Sequence, residues 1–72
     1  MLQLRAFTDQ DAENILTSEW HTSYENAMSR AIELQGDVLV QGIIIFEGDT
    51  MHHSAWRLPS NPSRWDVKKW GH

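Results

Sequence analysis

The sequence predicts one α+β domain in which a single helix packs on an antiparallel sheet of four to five strands, in the order β-β-α-β-β. Three observations predict this class: an alternating segment at the N-terminus, one segment of helical period, and a β-branched run followed by a glycine turn. The 72 residues are enough for one domain. No repeat, low-complexity tract or linker divides residues 1–72.

The first third of the chain predicts a strand, a loop and a second strand. Residues 2–7 begin with alternating apolar and polar side chains, as a half-buried strand does. Residues 8–14 are polar and acidic and suit an exposed loop. Residues 15–22 fit either a helical stripe or a strand that pairs back on the first. We favour the strand, because a helix start follows at once and leaves the chain little room to reverse.

The clearest local signal is a helix at about residues 23–35. Thr22 or Ser23 can cap its first turn, and Thr22 and Glu25 have the spacing of a capping box. Gly36 occupies the position at which helices often end in a left-handed residue. Apolar side chains recur at the helical spacing and predict the buried stripe: Tyr24, Ala27, Met28, Ala31 and Ile32.

The second half predicts a hairpin and an edge strand. Residues 38–46 are β-branched and apolar, which predicts a central strand covered on both faces, with Gly42 at a bulge or close approach. Residues 47–50 form a turn with glycine at positive φ, and residues 51–57 return. Pro59 and Pro62 interrupt pairing before a short edge strand at 64–69, which two lysines protect. The expected core includes Ile32, Ile44, Trp56 and Trp65.

Composition indicates the cellular compartment and limits the kinds of interaction that can stabilise the fold. The chain has no cysteine, so neither a disulfide nor a thiolate metal site contributes. No apolar run is long enough to span a membrane, and the N-terminus lacks the pattern of a signal peptide. The cytoplasm is therefore the expected location. The aromatic residues are needed for a core at this size, and self-association into a homodimer would stabilise it further.

No motif predicts an enzyme or a cofactor. His52 and His53 are neighbours in a predicted strand, so regular alternation sends them to opposite faces and prevents them from chelating one metal. No nucleophile elbow or phosphate-binding glycine loop is present. Asp9, Asp11 and Glu13 resemble the start of a calcium loop, but the later ligands do not follow. We therefore expect no catalytic residue, metal or cofactor.

Charge divides the chain into an acidic first half and a basic end. Residues 1–36 contain six acids and two arginines, whereas residues 50–72 contain four basic side chains and one acid, within a net charge of −4. The acids predict a protein-binding face, and the basic, Trp-rich tail predicts an alternative one. Trp70 either is exposed on this tail or folds back over Trp56. The acidic face is Asp9, Asp11, Glu13, Glu19, Glu25 and Glu33; the alternative is Arg57, Arg64, Lys68, Lys69 and Trp70.

The order and size of the elements resemble those of small phage-borne anti-CRISPR proteins. The resemblance lies in the Ser/Thr-capped, Ala-containing helix (residues 23–35), the hairpin (residues 38–56) and the Trp-and-Lys end (residues 64–70). It implies a non-enzymatic inhibitor, encoded by a phage or mobile element, that binds a bacterial nucleoprotein effector or nuclease. That group shares no signature motif, so no functional residue can be transferred to this chain.

Three functions follow from the sequence, and the first has the most support. The first is a protein-binding module that occludes a surface of a larger host protein or nucleoprotein complex, with the acidic face meeting a basic channel. The second is a nucleic-acid binder that uses the basic tail, with indoles stacking on bases. The third is a small subunit of an obligate complex.

Overall fold

The chain forms five strands and one helix in a computed structural model that describes residues 1–69. All neighbouring strands are antiparallel and form one sheet in the order β2-β1-β3-β4-β5. The predicted α+β class and the one-helix layout are confirmed, and a fifth strand is present. The elements are β1 (Leu2–Phe7), β2 (Ile15–His21), α1 (Tyr24–Gln35), β3 (Gly42–Glu47), β4 (Thr50–Leu58) and β5 (Asn61–Lys69).

The strand interpretation of residues 15–22 is correct. β2 pairs with β1 from Leu2 opposite His21 to Phe7 opposite Ile15, with one irregularity that leaves Leu16 as the extra residue. The connecting loop closes where the backbone N–H of Thr8 donates to the carbonyl of Asn14 at 3.0 Å. β2 is an edge strand, so only one of its sides has a partner in the sheet.

α1 begins with the predicted cap, but it does not end as expected. The Ser23 hydroxyl accepts a hydrogen bond from the backbone N–H of Asn26 at 3.2 Å, which satisfies one of the free donors of the first turn. Gly36 has φ −78°, in the right-handed region, so the predicted left-handed cap is wrong. The Gly36 N–H instead donates to the carbonyl of Glu33 at 3.1 Å and tightens the last turn.

The main core lies between α1 and the side of the sheet that it covers. Helix residues Ala27, Ala31 and Leu34 pack against alternate residues of β1 and β3. The expectation that Ile32 is buried is wrong, because it is 64% exposed. The helix directs the 27–31–34 stripe at the sheet, and a step of roughly 100° per residue turns Ile32 away from it. The strand and loop side chains of the core are Leu2, Leu4, Ala6, Val40, Ile43 and Ile45.

The central strand is shorter than the apolar run predicts. β3 is central as predicted, but it begins at Gly42, and Val38 and Leu39 lie exposed in a turn. Asp37 causes this turn: its carboxylate accepts from the Leu39 N–H at 2.9 Å and its carbonyl accepts from the Val40 N–H at 3.1 Å. An Asp side chain that bonds the backbone two residues on competes with strand pairing. Two hydrophobic residues are therefore left outside the sheet.

The remaining hairpins follow the predicted positions, with an earlier start to the last strand. Gly48 has φ 62° in the turn between β3 and β4, as predicted. The prolines interrupt pairing only at residues 59–60, and β5 resumes at Asn61. Pro62 is tolerated within β5 because an edge strand needs donors on one side only.

Candidate functional site

The sheet has one covered face and one open face. α1 contacts β1, β2 and β3 from one side, and no helix lies on the other side among residues 1–69. We call that other side the open face. An antiparallel sheet with one solvated side normally alternates apolar-in with polar-out. Here the open face is instead rich in large apolar side chains: Phe7, Trp20, Ile44, Phe46 and Trp56.

In one half of the open face, the large apolar side chains pack against one another. The rings of Phe7 and Trp56 stack with centroids 5.9 Å apart and an interplanar angle of 16°. Gly42 makes room for this stack, because a Cβ at that position would lie 2.1 Å from the Trp56 ring. Ile44 beside them is 7% exposed, as expected. The close approach predicted at Gly42 is thus confirmed, and this half of the open face is structural packing.

The other half of the open face remains accessible. The strand register places Trp20 and Phe46 on either side of Gln3, in one row across β2, β1 and β3. Trp20 is 65% exposed. We call Trp20, Gln3, Arg5 and Phe46 the Trp20 patch. Together with residues 48–49 it lines a shallow depression of about 450 Å³.

The polar side chains of the Trp20 patch are held in place by one another. The Arg5 guanidinium lies 5.3 Å from the centroid of the Phe46 ring and donates to Gln3 Oε1 at 3.1 Å. Gln3 Nε2 in turn donates to the Ser18 hydroxyl at 3.1 Å. Within residues 1–69, Arg5 forms no ion pair with a carboxylate. The patch thus presents an indole, an aromatic ring and a guanidinium without an acidic partner, which are the side chains that concentrate binding energy in interfaces.

The predicted acidic loop is held together by one of its own acids. The Asp9 carboxylate accepts from the backbone N–H groups of Glu13 and Asn14, each at 3.1 Å. Ala12 within the loop has φ 59°, a left-handed conformation. Asp9 therefore shapes the loop, whereas the side chains of Asp11 and Glu13 are exposed.

Glu19 has a structural role that the sequence does not reveal. Its carboxylate accepts from Arg30 Nε at 2.9 Å and from the Thr17 hydroxyl at 3.2 Å, and it lies 3.1 Å from His21 Nε2. Burial alone would raise the pKa of Glu19, but the hydrogen bonds from Arg30, His21 and Thr17 and the charge of Arg30 outweigh burial and lower it. Glu19 thus ties β2 to α1.

The other two predicted acids lie on the exposed surface of α1. Glu25 is in the first turn, where a negative charge complements the helix dipole. Glu33 lies 4.0 Å from Arg30 Nη1, one turn later on the helix. The six acids are thus divided among the β1–β2 loop, the covered face of β2 and the outer surface of α1.

Arg57, which the sequence assigned to the basic surface, makes internal contacts that stabilise the fold. Its guanidinium donates to the carbonyls of Val40 at 3.0 Å, Asp37 at 3.1 Å and Pro62 at 2.6 Å. It also lies 4.5 Å from the centroid of the half-buried Trp65 ring. Arg57 therefore fastens the turn before β3 to β5, and we do not count it as a free binding residue.

The rest of the predicted basic surface is divided between two sides of β5. Arg64, Lys68 and Lys69 are exposed. Lys68 pairs across the strands with Ser54 and Lys69 with His53, so that the two lysines point to opposite faces. Trp70 lies outside the described residues.

A β-bulge overturns the expected orientation of the two neighbouring histidines. Ile45 pairs with His53 and Phe46 with Met51, so His52 is the extra residue of β4. His53 shares the covered side with Ile45, and His52 packs against Tyr24 of α1 with ring centroids 4.9 Å apart. The expectation of opposite faces is therefore wrong. Within residues 1–69, no third metal-ligating side chain joins them to form a group that could hold a metal ion.

Sequence reasoning did not identify Trp20 as the most accessible aromatic side chain of the open face. Its position in an alternating strand predicts two faces without saying which one a helix will cover. The pairing of Trp20 with Gln3 places Trp20 on the open face, because Leu2 and Leu4, the neighbours of Gln3 in β1, lie on the covered face.

Comparison with protein-family models, curated proteins and solved structures finds no match to this chain. Among residues 1–69, no helix has the length and apolar character required to cross a membrane.

Proposed function

We propose that this chain is a non-enzymatic protein-binding module whose principal binding surface is the Trp20 patch. The observation that carries the proposal is the exposure of Trp20 beside Arg5 on a sheet face that no helix covers within residues 1–69. An exposed indole gains free energy when a partner removes it from water, and a neighbouring guanidinium adds directional hydrogen bonds. Such pairs typically dominate the energetics of protein interfaces.

The charges favour a protein over a nucleic acid as the partner. The Trp20 patch contains one cation, Arg5, and Asp49 lines the same depression. Nucleic-acid affinity depends on several cations that contact successive phosphates. The basic side chains of the tail do not supply such a row, since Arg57 is bound internally and Lys68 and Lys69 point to opposite faces. Nucleic-acid binding is accordingly our second hypothesis.

The partner class that we propose is a larger bacterial host protein or nucleoprotein complex, one surface of which this chain occludes. Exposed acids such as Asp11, Glu13, Glu25 and Glu33 lie away from the Trp20 patch and would steer the chain toward a basic surface. The patch would then provide most of the affinity. The similarity in element order to phage-borne inhibitors supports this class of partner.

The test is capture of partners from a nuclease-treated bacterial lysate with three forms of the protein. Wild type is compared with Trp20→Ala and with Ile32→Ala, a control that truncates an equally exposed apolar residue on α1. We expect Trp20→Ala to lose a specific protein that Ile32→Ala retains. With that protein purified, we expect Trp20→Ala to weaken affinity by at least about 30-fold, as hot-spot truncations of about 2 kcal/mol or more do.

The opposite results would refute the proposal. If Trp20→Ala captures the same proteins as wild type with unchanged affinity, the binding surface lies elsewhere. If nuclease treatment removes all specific capture and labelled oligonucleotides bind at low salt, the nucleic-acid hypothesis replaces ours.

A further inference from the structure

We propose that β2 pairs with β2 of a second copy of this chain, forming a two-fold symmetric dimer with one continuous ten-stranded sheet. The interface would lie along the outer edge of the sheet, in the strand that also carries Trp20. The two edge strands, β2 and β5, differ in how readily they can accept a partner strand.

The β5 edge carries a proline and several cations that hinder pairing with another chain, whereas the β2 edge carries one acid, Glu19, which is paired with Arg30, and one bulge near its N-terminal end. β5 contains Pro62, which lacks a backbone donor, and the cations Arg64, Lys68 and Lys69. β2 contains no proline, lysine or arginine, and its exposed side chains include Ile15, Leu16 and Trp20. Such an edge is a template for strand addition. A partner strand is therefore expected on β2.

The sequence of β2 is complementary to itself in one register. In a two-fold antiparallel pair centred on Ser18, Ser18 lies opposite its own copy and Leu16 lies opposite Trp20 of the second copy. The register with β1 places Ser18 opposite Arg5 and Trp20 opposite Gln3, on the open face, whereas Thr17 and Glu19 lie on the covered face. Leu16 is the bulged residue next to Thr17. Each exposed indole thus gains an apolar cross-strand neighbour.

The neighbouring registers are less favourable. Centring the pair on Glu19 would place two carboxylates directly opposite each other, which is destabilising. Centring it on Thr17 would leave Trp20 beyond the end of the partner strand. With Ser18 at the centre, Glu19 faces Thr17 of the second copy and keeps its own ion pair with Arg30 at 2.9 Å. The irregularity at Leu16 lies outside the three innermost pairs, those of Thr17, Ser18 and Glu19, which are regular.

The two helices fit on the same side of the continuous sheet. α1 contacts β1, β2 and β3 and is therefore centred over β1. The two β1 strands would be separated by three strand spacings, about 14 Å at roughly 4.8 Å each. This exceeds the 8–10 Å or so at which helices pack in contact. Pairing through β2 also leaves only the protected β5 edges exposed, so assembly stops at two copies.

A single cysteine at the proposed two-fold axis provides the most direct test. The chain contains no cysteine, so Ser18→Cys introduces one thiol. Directly opposed residues of an antiparallel pair have Cα atoms about 4.5–5.5 Å apart, within the range of a disulfide. We expect Ser18→Cys to form a covalent dimer in a glutathione redox buffer. The control Ser63→Cys, exposed on β5, should remain largely monomeric under the same conditions.

Sedimentation of the cysteine-free protein gives an independent test. We expect wild type to show a concentration-dependent monomer–dimer equilibrium. Ser18→Lys places two cations opposite each other and should raise the dimer dissociation constant at least about five-fold, whereas Ser63→Lys on β5 should not. Circular dichroism of each variant confirms that its fold is retained.

A wild-type chain that stays monomeric at millimolar concentration, or equal cross-linking of Ser18→Cys and Ser63→Cys, would overturn the inference. The proposed function can fail separately, because it is tested by Trp20→Ala, which does not involve Ser18. Ser18→Lys removes the hydroxyl that Gln3 contacts but keeps the Trp20 indole and the contact between Arg5 and Phe46. A monomeric Ser18→Lys that still binds the captured partner would support both proposals.

Discussion

At the scale of single residues, His53 is a histidine whose burial disfavours its protonated form. Its side chain is 1% exposed, and its Nδ1 atom is buried without a hydrogen-bond partner among residues 1–69. Burial, followed by the nearby charges of Lys69 and His52, lowers the pKa of His53 below its usual 6.5. The unfolded chain therefore binds this proton more readily than the folded chain does.

We expect the free energy of unfolding to fall as the pH drops below about 6.5, because the unfolded state takes up the proton that folded His53 resists. Above that pH both states are neutral at this position, and the contribution does not vary. The measurement is urea unfolding of wild type and His53→Leu at pH 7.5 and pH 5.5. His53→Leu should lose less stability on acidification. An equal loss in wild type and His53→Leu would assign the pH dependence to other groups.

At the scale of elements, the contact between β3 and β4 depends on a glycine where a strand would normally have a side chain. Gly42 pairs with Trp56, and the ring of Trp56 occupies the space that a Cβ would need. The Trp56 ring also stacks on the ring of Phe7 in β1. Three strands are thus joined by one glycine and two aromatic rings.

We expect Gly42→Ala to destabilise the protein by about 1–3 kcal/mol, because the added methyl group displaces the Trp56 ring from its stack. The same change should cost less in a Trp56→Leu background, where no ring occupies the space. A double-mutant cycle by chemical denaturation measures this difference as a coupling energy. Gly36→Ala serves as the control, since Gly36 has right-handed dihedral angles. Equal costs of Gly42→Ala in both backgrounds would show that the ring is not the obstacle.

At the scale of the whole molecule, the acids and the Trp20 patch predict different experimental signatures. Exposed charges act over about 8–10 Å at physiological ionic strength and chiefly change the rate of association. Buried aromatic contacts chiefly change the rate of dissociation. The two contributions can therefore be separated on one partner.

We expect reversal of Asp11 and Glu13 to lysine to slow association with the captured partner, by a factor that shrinks as salt rises. Both side chains are exposed, so the fold should lose no more than about 0.5 kcal/mol for each. Asp9 is left unchanged, because its carboxylate holds the loop. The measurement is the association rate on immobilised partner at two salt concentrations. The control is Asp66→Lys on β5, and similar slowing by this control would point to net charge rather than to a specific acidic face.

Local sequence determined most of the elements. Residues 15–22 fitted a helix as well as a strand, but the helix, its Ser23 cap, the turn at Gly48 and the strands at residues 2–7 and 51–57 were all predictable. Each depends on periodicity or on the conformational preference of one residue, and these act over a few positions of the chain. Two predictions from local pattern were wrong, the left-handed cap at Gly36 and the strand at Val38. In both places a short-range hydrogen bond to the backbone competed with the pattern.

The candidate site was decided by tertiary structure. Alternation shows that β2 has two faces, but only the packing of α1 determines that Trp20 lies on the open one. Strand pairing likewise created the bulge that brings His52 and His53 to one side, and it directed Arg57 to carbonyls up to twenty residues away. Sequence patterns specify which residues share a side of one element. Which sides meet, and which remain open to a partner, depends on contacts between residues far apart in the chain.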